Sequence, residues 1–143
     1  MGASTKLTGR CLCGAVTYTA EGVPHEVGAC HCNMCQHWSG GPAIAAAVKS
    51  VAFEGEDNMS RFRSSDWAER GFCKICGSNI FYRIVATDQY YLTTGTFDDP
   101  SGFTLASQIF TDEKPAYYDF ANETRMMTGA EVFAAVAKGE KIE

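Results

Sequence analysis

The sequence contains no apolar run that approaches the ~20 residues needed to span a bilayer, and its N-terminus lacks the apolar stretch of a secretory leader. It also lacks an excess of positive charge: 12 Lys and Arg stand against 17 Asp and Glu, for a formal net charge of −5 at pH 7. Because nucleic acids and anionic membranes require a basic face, neither is expected as a main partner. Repeats and linkers are absent too. Because no spanning segment and no secretory leader are found, we expect a cytoplasmic protein.

The 143 residues, 45% of them apolar, suit one domain over 1–143. Short runs rich in β-branched and aromatic residues alternate with glycine-bearing turns and predict strands. These runs lie at 16–19, 80–85, 90–94 and 105–110, and 43–53 is apolar enough for one or two more. The pattern indicates a mainly β fold with antiparallel sheets.

The C-terminal residues carry the clearest helical pattern. Thr128 and Glu131 have capping-box spacing, Val132, Phe133 and Val136 recur at helical intervals, and Gly139 suits a helix end. We predict a helix over about 128–139. A short helical turn over 34–38 has weaker support.

Seven cysteines form three clusters and none is isolated: Cys11 and Cys13, then Cys30, Cys32 and Cys35, then Cys73 and Cys76. If these cysteines were ordinary core residues, they would be scattered along the sequence and not clustered. A full disulfide framework is disfavoured because an odd number cannot pair completely, a Cys-x-Cys bridge is strained, and disulfides are rare in a reducing compartment. Close spacings of this kind are typical of metal sites.

Zinc fits these cysteines, because seven ligands divide into a closed site of four and an open site of three. Cys73-x-x-Cys76 is followed by Gly77, as in a zinc knuckle, and Cys11 and Cys13 can complete a structural site. Cys30, Cys32 and Cys35 would then hold a second zinc with a vacant fourth position, as catalytic sites do. Other pairings of the clusters are also compatible with the spacing.

The three motifs, 11–16, 30–35 and 70–78, resemble the glutathione-dependent formaldehyde-activating enzyme family, which includes the centromere protein V group. The resemblance covers about 7–118 and implies an Mss4-like fold of β-sheets with zinc. It implies a carbon–sulfur lyase that joins glutathione and formaldehyde reversibly as S-hydroxymethylglutathione. Residue matching makes Cys11, Cys13, Cys73 and Cys76 structural zinc ligands. It makes Cys30, Cys32 and Cys35 the ligands of the catalytic zinc.

An ion held by three thiolates is a weak Lewis acid for hydrolysis, but it can take an exogenous thiol as a fourth ligand and keep it deprotonated. The expected partners are therefore a small thiol and an aldehyde. Many family members carry basic residues directly after the middle cluster, where this chain has Gln36 and His37. The cosubstrate is therefore expected to be either glutathione or another small thiol.

Few other residues stand out as candidates, and no cofactor-binding residue follows from the pattern. The pKa of histidine suits acid–base chemistry. In an extended segment the His31 side chain would point to the opposite side from Cys30 and Cys32, so we expect it to play a supporting role. We expect His37 to lie on the surface or in a pocket wall. Arg61, Arg63 and Arg70 could bind a carboxylate of a thiol cosubstrate, but each could also be a solvated charge on a strand. Trp38 and Trp67 could line a pocket or pack in the core. Residues 117–120 are interpreted as ordinary packing.

Two alternatives to an enzyme stay open. The first is a zinc-binding interaction module without turnover, since a fold does not determine a function. The second is a zinc or redox buffer, in which the open site exchanges its metal with competing thiols.

Overall fold

The computed structural model describes residues 5–140, which form eleven strands and two helices in two compact units. The first unit comprises 5–25 and 45–103, and the second comprises 26–44 and 104–140. The mainly β class and the C-terminal helix are confirmed. No helix among the described residues is long and apolar enough to cross a membrane.

Antiparallel ladders build the first unit. One set joins β1 (Leu7–Arg10), β2 (Thr17–Glu21) and β5 (Ser50–Glu54) in that spatial order. The other runs in the order β4 (Ala43–Val48, paired from Ala45 onward), β9 (Gln89–Thr93), β8 (Asn79–Ile84), β7 (Ala68–Cys73) and β6 (Met59–Arg63). The strands predicted at 16–19, 80–85, 90–94 and 43–53 therefore exist.

Aromatic packing fills the core of the first unit. Phe81 of β8 is fully buried and contacts Phe53 of β5 and Tyr90 of β9, with ring centroids 5.6 and 5.0 Å away. Gly71 of β7 faces this ring: a Cβ there would lie 2.0 Å from Phe81 Cε2. The absence of a side chain at Gly71 therefore leaves room for the Phe81 ring to pack closely against the backbone of β7.

The second unit pairs β10 (Thr104–Ile109) with β3 (Glu26–Cys30) on one side and β11 (Arg125–Met127) on the other. Both ladders are parallel, which corrects the expectation of antiparallel pairing at these two places. Parallel neighbours need a crossover of a dozen or more residues. Residues 110–124 provide that crossover between β10 and β11.

Helix α1 (Asn33–Ser39) follows β3 directly, and helix α2 (Gly129–Ala137) follows β11. Thr128 caps α2 in the predicted capping box with Glu131, so the prediction of a helix over about 128–139 is confirmed. The buried stripe of α2 is Gly129, Val132 and Ala135, at intervals of three residues. Phe133 is instead 59% exposed and rests on Phe110 edge to face.

Candidate metal centres

Four cysteines of the first unit converge, although the two pairs lie 60 residues apart in the chain. Cys11 and Cys13 lie on the turn after β1, Cys73 ends β7, and Cys76 lies in the turn before β8. Their four Sγ atoms all lie within 4.8 Å of one another. The antiparallel β7–β8 pair presents the second turn, and the β1–β2 hairpin presents the first.

The spacing of these sulfurs matches a tetrahedral zinc thiolate site. Cys11 Sγ lies 3.7 Å from Cys13 Sγ, which lies 3.8 Å from Cys73 Sγ. A tetrahedron with Zn–S bonds of about 2.3 Å has edges of about 3.8 Å. The donor set and its size therefore fit Zn²⁺ in a closed, four-coordinate site.

Backbone and hydroxyl donors surround the four sulfurs. The N–H of Val16 donates to Cys11 Sγ (3.3 Å), and the N–H of Cys76 donates to Cys73 Sγ (3.4 Å). Ser78 Oγ lies 3.2 Å from Cys76 Sγ and accepts the N–H of Leu12 (2.9 Å), so Ser78 connects the two cysteine turns. Donors of this kind stabilise thiolates over thiols.

The thiol pKa values differ according to these contacts. Hydrogen bonds from the side chain and backbone of Ser78 lower the pKa of Cys76 to about 5. The pKa of Cys13 is raised to about 11: the Ala15 hydrogen bond lowers it, but desolvation and the three neighbouring cysteines outweigh that effect. Four thiolates this close repel one another, so full ionisation of the cluster requires a cation.

Three cysteines of the second unit form the other cluster, with their Sγ atoms within 4.8 Å of one another. Cys30 ends β3, Cys32 is the N-cap of α1, and Cys35 lies in the first turn of that helix. The N–H of Cys35 donates to Cys32 Sγ (3.3 Å), and the N–H of Cys32 donates to Cys30 Sγ (3.5 Å). The change from strand to helix therefore directs all three sulfurs to one point.

The three-cysteine cluster also suits a soft divalent cation. Hydrogen bonds with Cys32 and then Cys35, followed by burial, raise the pKa of Cys30. Among the described residues, no histidine or carboxylate joins the three sulfurs as a possible ligand. Three protein ligands leave one coordination position for an exogenous group.

His31, between two of these cysteines, is completely buried, and both its ring nitrogens are occupied. Nδ1 lies 2.9 Å from the hydroxyl of Tyr118, and Nε2 lies 2.8 Å from Oε1 of Gln108. The ring therefore turns away from the sulfurs, as the alternation predicted. Tyr118 does more than the ordinary packing expected of residues 117–120.

The remaining candidates lie elsewhere or have other contacts. His37 is exposed, and its Nδ1 lies 2.9 Å from the carbonyl of Asn33 in its own helix. In the first unit, Arg61 pairs with Glu69 at 2.7 Å and Arg63 binds two backbone carbonyls. Arg70 is buried, with its guanidinium over the Tyr82 ring.

Sequence analysis did not identify Ser78, Gln108 or Glu113. Ser78 follows the last cysteine motif by two residues, and that proximity is the only local signal among the three. Gln108 and Glu113 lie far along the chain from the middle cluster that they support. Trp67, for which pocket lining and core packing were the two interpretations, is 49% exposed and so is not a core residue.

The chain is similar to known proteins at the level of family, of sequence and of structure. Residues 6–113 match the family model "Glutathione-dependent formaldehyde-activating enzyme". A Schizosaccharomyces pombe (strain 972 / ATCC 24843) protein, named an uncharacterized lyase, is 32% identical over 132 residues, or 91% of this chain and 96% of the relative. A crystal structure of a Rhodobacter sphaeroides protein superimposes with a TM-score of 0.54 at 21% identity, over 64% of this chain and 88% of that one, which indicates a shared fold.

Proposed function

The chain belongs to the glutathione-dependent formaldehyde-activating enzyme family, and on that premise we propose that it is a zinc-dependent carbon–sulfur lyase acting on a thiol–aldehyde adduct. The observation that carries the proposal is the cluster of Cys30, Cys32 and Cys35, three convergent thiols with no fourth protein ligand among the described residues. The lyase name of the fungal relative supports the reaction class. Glutathione and formaldehyde serve as the model pair.

We assign the seven cysteines two roles. Cys11, Cys13, Cys73 and Cys76 hold a structural zinc, because their sulfurs form a closed four-ligand set. Cys30, Cys32 and Cys35 hold a second zinc as catalytic ligands. When bound there, zinc supplies a site that keeps an incoming thiol deprotonated at neutral pH.

The reaction joins the thiol sulfur to the aldehyde carbon, and the thiol proton ends on the aldehyde oxygen. The reverse reaction breaks that C–S bond and returns the proton. The chain contributes orientation through the rigid turn that bears the cysteines, where two backbone N–H groups donate to sulfur. His31 is not the proton carrier, because it is completely buried and both of its ring nitrogens already have hydrogen-bond partners within the protein.

The identity of the thiol depends on charge. In the second unit, Lys114 pairs with Asp119 at 2.9 Å and Arg125 pairs with Glu26 at 3.4 Å, so these two cations already have carboxylate partners. Glutathione carries two carboxylates at neutral pH. Neutral and cationic small thiols therefore belong in the substrate panel beside glutathione.

The test combines zinc content with turnover on the wild type and on a Cys32→Ala variant, with Cys13→Ala as the matched variant of the other site. We expect two zinc ions per wild-type chain and one in each variant. NMR exchange spectroscopy should detect C–S bond formation and cleavage faster than the spontaneous rate, with this acceleration lost in Cys32→Ala.

Two results would contradict the enzyme. One tightly held zinc per chain, unaffected by excess thiol, would leave a structural or interaction domain. Two zinc ions without acceleration for any thiol in the panel would instead favour a zinc or redox buffer.

A further inference from the structure

The segment that connects β10 to β11, residues 110–124, makes repeated contact with the turn that carries the three cysteines. Glu113 is the first point: its Oε1 accepts the N–H of Asn33, the first residue of α1, at 2.7 Å. Its carbonyl accepts from Nε2 of Gln36 (2.9 Å), which also donates to the carbonyl of His31 (2.7 Å). Glu113 is thereby bonded to α1 twice, on either side of Cys35.

Tyr118 and Thr124 provide the second point of contact, through His31. Nε2 of Gln108 donates to Oγ1 of Thr124 (2.9 Å), which directs Oε1 of Gln108 to the imidazole at 2.8 Å. Nε2 of His31 therefore donates to Gln108, and Nδ1 lies 2.9 Å from the hydroxyl of Tyr118. Both ring nitrogens of His31 are therefore held by side chains of β10 and of the segment that follows it.

The segment is itself stiffened and anchored. Nζ of Lys114 donates to the carbonyls of Pro115 and Tyr118 and pairs with Asp119, which holds residues 114–119 as a closed turn. Oδ1 of Asp112 accepts the N–H of Gly129 at 2.8 Å, which ties the segment to the start of α2. Desolvation raises the pKa of the Tyr118 hydroxyl.

We propose that residues 110–124, together with Gln108 of β10, form a bracket that fixes the geometry of the three-cysteine cluster, with Glu113, Tyr118 and Gln108 as positioning residues for the reaction. The proposal rests on the proposed function insofar as Cys30, Cys32 and Cys35 hold the reacting ion. His31 lies between two of those ligands and is held from both ring nitrogens. The two bonds to its ring therefore restrict where the backbone between Cys30 and Cys32 can lie. Mutation of a residue that orients a metal ligand through a hydrogen bond commonly lowers metal affinity by about 10- to 100-fold.

The test loads the full chain with NMR-active cadmium and follows two resonances, one from each cysteine cluster. Tyr118→Phe removes only the hydroxyl that holds Nδ1 of His31, and Tyr117→Phe is its control, because Tyr117 is the adjacent tyrosine and is 78% exposed. Glu113→Ala removes the acceptor for Asn33, whereas Glu113→Gln keeps an oxygen at that position.

In Tyr118→Phe and Glu113→Ala we expect a shifted resonance of the three-cysteine site and about tenfold weaker cadmium binding there by chelator competition. The four-cysteine resonance should stay unchanged, which also verifies that each variant is folded. Tyr117→Phe should behave as wild type, and Glu113→Gln should restore the resonance.

Two outcomes would overturn the bracket, and they differ in what they imply for the enzyme. If the wild type binds two cadmium ions and neither Tyr118→Phe nor Glu113→Ala alters the three-cysteine resonance or affinity, the bracket is wrong and the proposed function stands. If the wild type binds a single cadmium, the three-cysteine site is not a metal site, and both proposals fail.

Discussion

At the scale of single residues, the two clusters share one local design. In each, a backbone N–H from a later residue of the same turn donates to a cysteine sulfur: Val16 to Cys11, and Cys35 to Cys32. These bonds orient the sulfurs before any ion arrives and favour their ionised form. The clusters differ in what surrounds them, because Ser78 connects the first and the bracket supports the second.

Replacement of Ser78 by Ala should weaken metal retention at the four-cysteine site. Ser78 Oγ accepts the N–H of Leu12 and contacts the Cys76 sulfur, so its loss removes the connection between the two turns. We expect about tenfold weaker zinc binding there. Competition with a chromogenic chelator measures it. The exposed Ser50 of β5 supplies the control, Ser50→Ala. Wild-type retention in Ser78→Ala would contradict this role.

At the scale of the elements, both clusters lie where a regular element begins or ends. Cys73 is the last residue of β7, and Gly77, at φ 80°, reverses the chain before β8. Cys30 ends β3, and Cys32 caps α1 with its sulfur, a role usually taken by a serine or aspartate oxygen. Strand and helix ends leave backbone N–H groups without partners inside the element, and here cysteine sulfurs accept them.

Helix α2 depends on its capping box. Oγ1 of Thr128 accepts the N–H of Glu131, and Oε1 of Glu131 accepts the N–H of Thr128. Thr128→Ala should therefore lower the free energy of unfolding by about 1 kcal/mol. Thr128→Ser keeps the hydroxyl and should remain within a few tenths of wild type. Urea unfolding followed by circular dichroism measures both. Equal losses in the two variants would show that the hydroxyl is not what matters.

At the scale of the whole molecule, the two clusters cross-link the chain very differently. The four-cysteine site joins residues 11–13 to 73–76, whereas the three-cysteine site lies within 30–35. An ion that joins distant segments removes far more conformational freedom from the unfolded chain than an ion inside one turn. The stability of the first unit should therefore depend on its metal more strongly than the stability of the second unit depends on its own.

Chelation should therefore proceed in two stages. A strong chelator at neutral pH should first remove one zinc with little change in the far-ultraviolet circular dichroism. The second zinc should leave only as the strands of the first unit unfold. A chromogenic chelator and circular dichroism, followed together, measure the order. Release of both ions in one step with unfolding would contradict the assignment of one structural and one exchangeable site.

The prediction of a single domain over 1–143 stays a prediction, because the described residues group into two units. The chain passes between these units three times, after residues 25, 44 and 103. Neither unit is a continuous stretch that the chain could complete before starting the other. We therefore still expect one unfolding transition.

Local features of this protein could be predicted from the amino-acid sequence. Short spacings such as Cys-x-Cys and Cys-x-x-Cys encode turns that aim sulfurs at one point, and the capping box and β-branched runs encode the C-terminal helix and most of the strands of the first unit. The alternation along 30–32 was enough to predict that the ring of His31 turns away from its cysteine neighbours. These features need only a few neighbouring residues, so a linear pattern records them.

Features that depend on strand pairing could not be predicted in this way and became visible in the fold. The parallel ladders of β3 and β11 with β10 bring Gln108 and residues 110–124 against His31, whose partners lie 77 and 87 residues away. The β1–β2 and β7–β8 pairs likewise set Ser78 beside Leu12. Pairing and register arise from the packing of the whole chain, which a local pattern does not record. The residues that support the clusters therefore emerged from the fold, whereas the cysteines emerged from the sequence.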